Sequence, residues 1–338
     1  MPPYAQRTGR KRALRAADRS SRYPTVTVCI PTCARPEALS ATLESWRLGT
    51  WFPAEIRVAD SSLDDRTREV CERDWHPLHV TYKRSPVQSA AMQRNLAAEG
   101  CETDLVIFCD DDVELPPTAL EDLLQVFADD AEERIGGIAG TIEGLYHRVP
   151  GKWLRRYYHL QAGYAHEHYG GRFFGPAINI FPTDDPGDPL LYRSEWLNTG
   201  LVAYRTHLFA QHRFPSFHGY SFQEDVNLSA RVGRTHELYF HRGIRYVHEP
   251  VPAAHKSDAR KLGTMQTAHR WYDATQLLGL TGFQRACKFL IGLSFDAIYL
   301  VRARPGGWPQ QLVGSCAALW ALAVRGEDPL TLAERAGS

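Results

Sequence analysis

The stretch Asp104-Leu-Val-Ile-Phe-Cys-Asp-Asp-Asp112 decides the fold. Its continuous apolar part, residues 105–109, is typical of a strand that is buried on both faces, as in a parallel sheet. Three adjacent carboxylates follow directly, where such a strand would end. Ligands of open α/β sheets bind at the carboxyl ends of the strands. The stretch therefore predicts an α/β sheet with an acidic binding site at its edge.

Strand and helix patterns alternate around this stretch. Strands are predicted at about 25–30, 55–59, 79–83 and 104–109, and helices at about 36–49, 64–73, 89–99 and 117–127. This alternation predicts an open, mostly parallel, twisted sheet flanked by helices. Thr32 and Asp60 follow two of the other strands, so we expect them at the same edge as the three carboxylates.

The alternation ends after the first 143 residues. From Gly144 to Tyr220 aromatic residues, glycine and proline dominate, which is typical of loop-rich substrate-binding regions. The pattern then predicts a helix from Asp225 to about Val232 and a helical last third from roughly Thr264.

The apolar stretch 277–301 belongs to this helical extension. It contains Arg285, Lys288 and Asp296, so it is not predicted to span a membrane. We expect the helices of the extension to pack on the core. Contact of an amphipathic helix with a membrane surface is the alternative.

Charge and cysteine usage limit the class of protein. Lys plus Arg and Asp plus Glu are both 39 among 338 residues, so the net charge does not indicate a nucleic-acid partner. Seven scattered cysteines form no Cys-x-x-Cys pair and predict free thiols in the cytoplasm. The first 22 residues hold seven Arg or Lys and one Asp. We expect a disordered basic arm there, with contact to anionic lipid or a partner as the alternative.

The three carboxylates indicate a divalent metal. Mg²⁺ and Mn²⁺ prefer oxygen ligands and are commonly shared between carboxylates and substrate phosphates. Alternate residues of a strand-end turn can point the same way, so Asp110 and Asp112 are the expected pair. The alternative is a solvated acidic turn. No glycine-rich phosphate loop follows the first strand, so another positive charge would have to hold any phosphate.

A second acidic pair, Glu224-Asp225, precedes an apolar helix pattern. The pair is either a favourable charge at a helix N-terminus or the source of a general base for an acceptor hydroxyl. The residues alone leave these two readings open. His248 and His255, which flank two prolines, are candidate metal ligands among 14 histidines.

The order of these motifs resembles family 2 glycosyltransferases with the GT-A fold. The resemblance covers roughly residues 25–260. The stretches that carry it are Val28–Pro36, Val58–Ser62, Ala91–Asn95, Phe108–Val113, Trp196–Gly200, Glu224-Asp225 and His255.

The resemblance implies a role for each matching residue. The residues implied for nucleotide-sugar binding are Pro31, Thr32, Arg35, Asp60, Arg94, Asp110 and Asp111. Those implied for acceptor binding are Trp196, Asn198, Gly200 and Glu224. The implied metal ligands are Asp110, Asp112 and His255, which is preferred to His248, and the implied catalytic base is Asp225.

What the resemblance implies as function is an inverting transfer of a sugar from a nucleotide-diphosphate donor to an acceptor hydroxyl. Mn²⁺ or Mg²⁺ would bridge the diphosphate, and uracil is the expected base. Cys33-Ala34 and Ser61-Ser62 depart from the family pattern at the nucleotide pocket, so dTDP and GDP stay open beside UDP. The acceptor would be a glycan, a lipid-linked molecule or a small molecule. The alternatives are a sugar-nucleotide nucleotidyltransferase and a catalytically inactive GT-A-like binding module.

The same reasoning divides the chain into four segments. They are a basic arm at 1–23, a nucleotide-sugar-binding half at 24–143, an acceptor-binding half at 144–263 that completes the GT-A domain, and a helical extension at 264–338. The expected partners are the donor and the acceptor, with peripheral membrane contact through the C-terminal helices or the basic arm.

Overall fold

The computed structural model describes residues 23–217, 222–249, 258–303 and 306–337. The strands are β1 (Val26–Thr32), β2 (Glu55–Asp60), β3 (Val80–Arg84), β4 (Leu105–Cys109), β5 (Val113–Glu114), β6 (Ile135–Ile142), β7 (Phe173–Phe174), β8 (Ile178–Asn179), β9 (Leu191–Ser194), β10 (Leu201–Arg205) and β11 (Glu237–His248). The helices are α1 (Pro36–Arg47), α2 (Arg66–Cys71), α3 (Ala90–Ala97), α4 (Ala119–Asp129), α5 (Lys152–Ala162), α6 (Thr206–Gln211), α7 (Glu224–Val232), α8 (Ala259–Gln276), α9 (Gly282–Ala303), α10 (Trp308–Ala323) and α11 (Pro329–Gly337).

One central sheet joins the two predicted halves of the domain. Its strand order is β3-β2-β1-β4-β10-β6-β11-β5, and β9 pairs with β11 beside this path. The first four strands are parallel, as the alternation predicted, whereas β10 runs antiparallel to both its neighbours. The expected α/β class, with helices around a largely parallel sheet and a helical extension at the C-terminus, is confirmed.

The central strands are buried on both faces because alternate side chains enter two different cores. In β4, Leu105 and Ile107 belong to one apolar cluster and Val106 and Phe108 to the other. The second cluster also contains Phe289 of α9 and apolar side chains of α8 and α10. Helices α3, α6 and α7 pack on this face of the sheet, and side chains of the C-terminal helices extend the same cluster. Both faces of β4 are therefore covered, which explains its continuous apolar run.

Strand β11 carries an interruption that matters for the site. Its first part pairs with β6 and β9, its register shifts between His241 and Arg245, and its last two residues pair with β5. Such irregularities bend a strand and re-aim its side chains. As a result His248 lies opposite Val113, next to the acidic turn.

The region 144–220 contains more regular structure than its composition predicted. Helix α5 occupies Lys152–Ala162, and β10 follows the predicted acceptor loop directly. The prediction of a loop-rich region was wrong at these two places. Helix α5 was missed because neighbouring glycine, proline and aromatic residues hid its 3.6-residue period.

Within the residues described, no helix is long and apolar enough to cross a membrane. Helices α8 and α10 instead meet each other at two glycines. A β-carbon added to Gly263 would lie 2.1 Å from the Gln311 carbonyl oxygen, and one added to Gly314 would lie 2.1 Å from that of Arg260. Only glycine allows the two backbones to approach this closely.

We predict that Gly314→Ala destabilises the protein by about 1–3 kcal/mol, because the added methyl group has to push two backbones apart. Gly292→Ala in α9 is the matched control. A β-carbon there meets nothing closer than 3.5 Å, so the change should be neutral or stabilising. Urea unfolding of both variants measures the difference. Equal stabilities would show that the helices do not pack through the glycines.

Candidate active site

Three metal-ligating side chains meet at the end of the sheet. One oxygen each from Asp110 and Asp112 and one nitrogen of His248 all lie within 4.8 Å of one another. The His248 Nε2 atom is 2.9 Å from the Asp112 Oδ1 atom and 3.9 Å from the Asp110 Oδ2 atom. Two carboxylates and an imidazole are a donor set that suits Mn²⁺ and related divalent ions.

Backbone pairing holds this group together. Val113 pairs with His248 across β5 and β11, and the Glu249 amide donates to the Asp112 carbonyl at 3.0 Å. The predicted pairing of Asp110 with Asp112 is therefore seen. His255, the preferred third ligand, lies outside the described residues, and its role stays a prediction.

The middle carboxylate of the triplet is not part of the group that could hold a metal. Asp111 is buried, and its Oδ2 atom accepts a 2.5 Å hydrogen bond from the Thr32 hydroxyl. The Arg35 guanidinium donates to Asp111 at 3.2 Å and to Asp112 at 3.1 Å. Burial raises the pKa of Asp111 to about 7. Thr32 and Arg35 thus lie at the acidic turn, as the sequence predicted, and Pro31 precedes Thr32 in β1.

Asp60 lies at the end of β2, one strand away, and is completely buried. It accepts hydrogen bonds from the Ser62 amide at 2.8 Å and from the Tyr82 hydroxyl at 3.0 Å, and the Arg84 guanidinium is 3.6 Å away. Sequence reasoning missed Tyr82 and Arg84, which come from β3. The groups nearest to solvent in this cluster belong to Arg84, whereas the predicted contact of Asp60 with a base stays a prediction.

Arg94 joins the two acidic motifs. It extends from α3, is only 4% exposed, and donates to the Asp110 carboxylate at 2.6 Å and to the Glu224 carboxylate at 2.8 Å. Its guanidinium also lies 5.5 Å from the Phe214 ring centroid. One buried cation therefore connects the first residue of α7 to the acidic turn.

The start of α7 has an unusual backbone. Gln223, directly before Glu224, has φ +65°, and Ala177 in the facing loop has φ +59°. The Gln223 amide donates to the Ala177 carbonyl at 2.8 Å and to Asn179 at 2.9 Å. Residues held in such sparsely populated conformations cluster at functional sites, where the surrounding structure enforces them.

Asp225 is the second residue of α7 and follows Glu224 directly. Burial and the neighbouring charge of Glu224 raise its pKa to about 7. A carboxylate with a pKa near the working pH is suited to accept a proton. The pair also lies in the first turn of α7, so both interpretations stay open here, and the general-base role of Asp225 stays a prediction.

Helix α8 supports α7 from behind, which the sequence did not indicate. The Asn227 amide of α7 donates to the completely buried Asp273 of α8 at 2.6 Å. Burial raises the pKa of Asp273 well above its usual range. The helical extension thus contacts the helix that begins with the acidic pair.

The three predicted acceptor residues before β10 are all buried. Trp196 is 1% exposed and donates from its indole to the Ile180 carbonyl. The Asn198 amide donates to the Tyr246 hydroxyl at 2.8 Å, and a β-carbon on Gly200 would lie 2.2 Å from the same hydroxyl oxygen. Asn198 and Gly200 thus contact Tyr246, whereas Trp196 packs against Phe181 and Phe240. The acceptor role of all three stays a prediction.

A cavity of about 320 Å³ lies between α5 and the helical extension. Its apolar lining includes Tyr157, Phe289 and Phe295, and its polar lining includes Arg270 and Asp296. The Arg270 guanidinium also lies 5.3 Å from the ring centroid of Phe222, two residues before Glu224. A larger cavity, of about 870 Å³, lies near the start of β11, away from its metal-binding end.

Comparison with known proteins identifies a family for part of the chain. Residues 27–181 match the family described as "Glycosyl transferase family 2". No curated protein sequence matches the chain.

Two solved structures are similar in fold. One is GalNAc-T7 with UDP, GalNAc and Mn²⁺, with a TM-score of 0.53 and 17% identity over 67% of this chain and 44% of that chain. The other is S. aureus TarS 1-349 in complex with UDP-GlcNAc, with a TM-score of 0.52 and 16% identity over 88% of this chain and 81% of that chain. This chain therefore spans less than half of the GalNAc-T7 chain, and the likeness confirms the predicted GT-A fold.

We predict that Arg94→Met destabilises the protein by about 3–5 kcal/mol, because it leaves two carboxylates facing each other without a cation. Arg134→Met is the matched control. Arg134 pairs with Glu132 on the surface with 66% of its side chain exposed, so its loss should cost less than about 1 kcal/mol. Chemical denaturation compares the two. Similar small losses would contradict the bridging role of Arg94.

Proposed function

We propose that this protein transfers a sugar from a nucleotide-diphosphate donor to an acceptor hydroxyl with the help of a divalent metal, and the match of residues 27–181 to glycosyl transferase family 2 supports this. The observation that carries the proposal is the meeting of two acidic motifs at the carboxyl end of the sheet. Asp110, Asp112 and His248 offer a metal site, and Arg94 connects that site to the helix of Asp225.

The metal would be held by Asp110, Asp112 and His248. The donor set fits a divalent cation, because it supplies two carboxylate oxygens and one imidazole nitrogen on a turn fixed by backbone pairing. When bound, Mn²⁺ or Mg²⁺ supplies charge neutralisation for the leaving diphosphate. GalNAc-T7, which shares the fold, is described with UDP and Mn²⁺, and this supports Mn²⁺ as the first ion to test.

The donor nucleotide would bind beside the metal, along the ends of β1 and β2. Pro31, Thr32 and Arg35 flank the acidic turn there, and Asp111 anchors the end of β1 and the loop after it through its contacts to Thr32 and Arg35. Asp60 contributes by holding Ser62 and Arg84 in place. UDP is the proposed nucleotide, and the UDP-GlcNAc complex of TarS supports it.

Asp225 would act as the general base. Its carboxylate accepts the proton of the acceptor hydroxyl while the hydroxyl oxygen attacks the anomeric carbon on the face opposite the diphosphate. The bond to the diphosphate breaks in the same displacement, so the anomeric configuration inverts. Glu224 would not compete for this role, because its carboxylate is buried and paired with Arg94.

The acceptor would approach from the side of Gln223 and the aromatic cavity. An apolar lining with a few convergent polar groups is typical of sites for small or lipid-like ligands. The cavity supplies Tyr157 and Phe295 as stacked rings 4.1 Å apart, and Arg270 with Asp296 as the polar pair. This supports an acceptor with an apolar part among the glycan, lipid-linked and small-molecule classes.

We predict that His248→Ala weakens metal-dependent UDP binding by about 10- to 100-fold, because one of three ligands is lost. His255→Ala tests the ligand that the family resemblance implies, and it should weaken the binding as well if His255 completes the site. Calorimetric titration of UDP with Mn²⁺ measures both. If His255→Ala loses the binding and His248→Ala retains it, His255 and not His248 is the third ligand.

We predict that Asp225→Asn lowers the rate of transfer by at least about 100-fold while UDP binding stays intact, because an amide cannot accept the proton. In the wild type, the pKa of about 7 means that the rate falls as the pH drops through neutrality and the carboxylate is protonated. Rates of transfer from pH 5 to 9, roughly the range around this pKa, test both effects. Retained turnover in the variant would remove Asp225 from the base role.

The reaction products distinguish the proposed transferase from the two alternatives, a sugar-nucleotide nucleotidyltransferase and an inactive binding module. A nucleotidyltransferase would release pyrophosphate from a nucleoside triphosphate, and an inactive module would bind the nucleotide without consuming it. Product analysis with UDP-sugars and with UTP plus sugar phosphates distinguishes the three.

A further inference from the structure

The segment around α5 has a charge pattern that the proposed reaction does not use. Between Glu143 and Glu167 the sequence contains no acidic residue. It contains four basic residues, which are Arg148, Lys152, Arg155 and Arg156. Within the parts of the chain that the structure describes, none of these four side chains forms an ion pair. The segment therefore offers four cations to an external anionic partner.

The same segment exposes an unusual number of large apolar side chains. They are Leu145, Tyr146, Val149, Trp153, Leu160 and Tyr164. Trp153 is 78% exposed and Leu160 is 59% exposed. Contiguous exposed apolar surface on a folded protein marks an interaction site more often than scattered single residues do.

The exposed basic and apolar side chains of helix α5 share its outer face. Trp153, Arg156 and Leu160 are three and four positions apart, so they share the outer face. Tyr158 and Gln161 lie on the inner face and are buried. The helix is therefore amphipathic, with both a cation and apolar groups on the side that faces solvent.

The cations and the aromatic rings are adjacent. The Arg156 guanidinium lies 5.4 Å from the Trp153 ring centroid, and that of Arg148 lies 5.8 Å from the Tyr146 ring centroid. Trp and Tyr favour the boundary between the headgroups and the acyl chains, and Arg and Lys bind anionic headgroups at the same depth. This combination fits a bilayer better than it fits a folded protein, which would need a matching acidic surface.

We propose that residues 144–164, with the outer face of α5 at their centre, bind the surface of a bilayer that contains anionic lipid. Trp153 and Leu160 enter the boundary region, and the four basic side chains contact lipid phosphates. The inner face of the same helix supplies Tyr157 to the aromatic cavity. Docking would therefore bring the cavity next to the membrane surface. This surface is distinct from the C-terminal helices and the basic arm, which the sequence suggested for membrane contact.

The test is co-sedimentation of the full chain with vesicles of phosphatidylcholine alone and of phosphatidylcholine mixed with phosphatidylglycerol. We expect binding to the mixed vesicles, which weakens as salt is added, and little binding to phosphatidylcholine alone. Absence of binding to the mixed vesicles, or equal binding to both kinds, would overturn the proposal.

Two variants with matched controls assign the binding to this surface. Leu160→Glu should weaken it by at least about tenfold, whereas Leu48→Glu, at a 62% exposed leucine after α1, should not change it. Neutralising Arg148, Lys152 and Arg156 to Gln should weaken it by roughly fivefold per charge. The control neutralises Arg66, Arg68 and Arg134, which have more than half of their side chains exposed and pair with acids elsewhere.

The same measurements distinguish lipid binding at this face from membrane contact elsewhere on the chain and from self-association. If all variants bind mixed vesicles as the wild type does, the basic arm or the C-terminal helices hold the membrane and the proposal is wrong. If light scattering without vesicles shows a dimer that Leu160→Glu dissociates, a second copy of the chain covers the face instead. Thermal unfolding confirms that each variant is folded. None of these measurements requires transferase activity.

Discussion

The site depends on one buried cation. Arg94 is 4% exposed and bridges Asp110 of the metal-binding turn to Glu224 at the start of α7. Glu224 is buried and Asp110 is half-buried, and without the cation their carboxylates would repel each other or take up protons. The bridge thus holds two parts of the chain, more than a hundred residues apart, in a single arrangement. It also leaves Asp225, the next residue, with its own carboxylate free of that pairing. The catalytic proposal rests on this difference: Glu224 pairs with Arg94, and Asp225 is left to accept a proton.

The parallel half of the sheet was predictable because short, local sequence patterns specify its strands and helices. Few structures other than a buried parallel strand fit an apolar run such as Leu105–Cys109 that alternates with helix patterns. The position of His248 was not predictable, because it follows from a register shift in β11 and from pairing with β5, which are long-range effects. Helix α5 was missed for a different reason. Neighbouring glycine, proline and aromatic residues hid its 3.6-residue period, and its apolar residues are shared between a buried face and an exposed one.

The candidate site was predictable in its residue types and less so in its geometry. The triplet and the acidic pair meet, as motif order implied, but Asp60 and Trp196 are buried beneath the surface that a ligand could reach. Partners from later strands and helices, such as Tyr82, Tyr246 and Asp273, complete the site. Sequence patterns do not reveal them, because a tyrosine or aspartate within a strand or helix usually serves packing or solubility. Helix α5, with an aromatic cavity on one side and a basic apolar face on the other, would connect the chemistry to a membrane.

The central claim is that the clustered acidic residues and His248 hold a divalent metal that binds a nucleotide diphosphate. The most direct measurement is calorimetric titration of UDP, dTDP, GDP and CDP into the protein with Mn²⁺ and again with EDTA. We predict that UDP binds in the presence of Mn²⁺ and that EDTA abolishes the binding. Absence of binding by all four nucleotides under both conditions, or binding of equal strength with and without metal, would contradict the account.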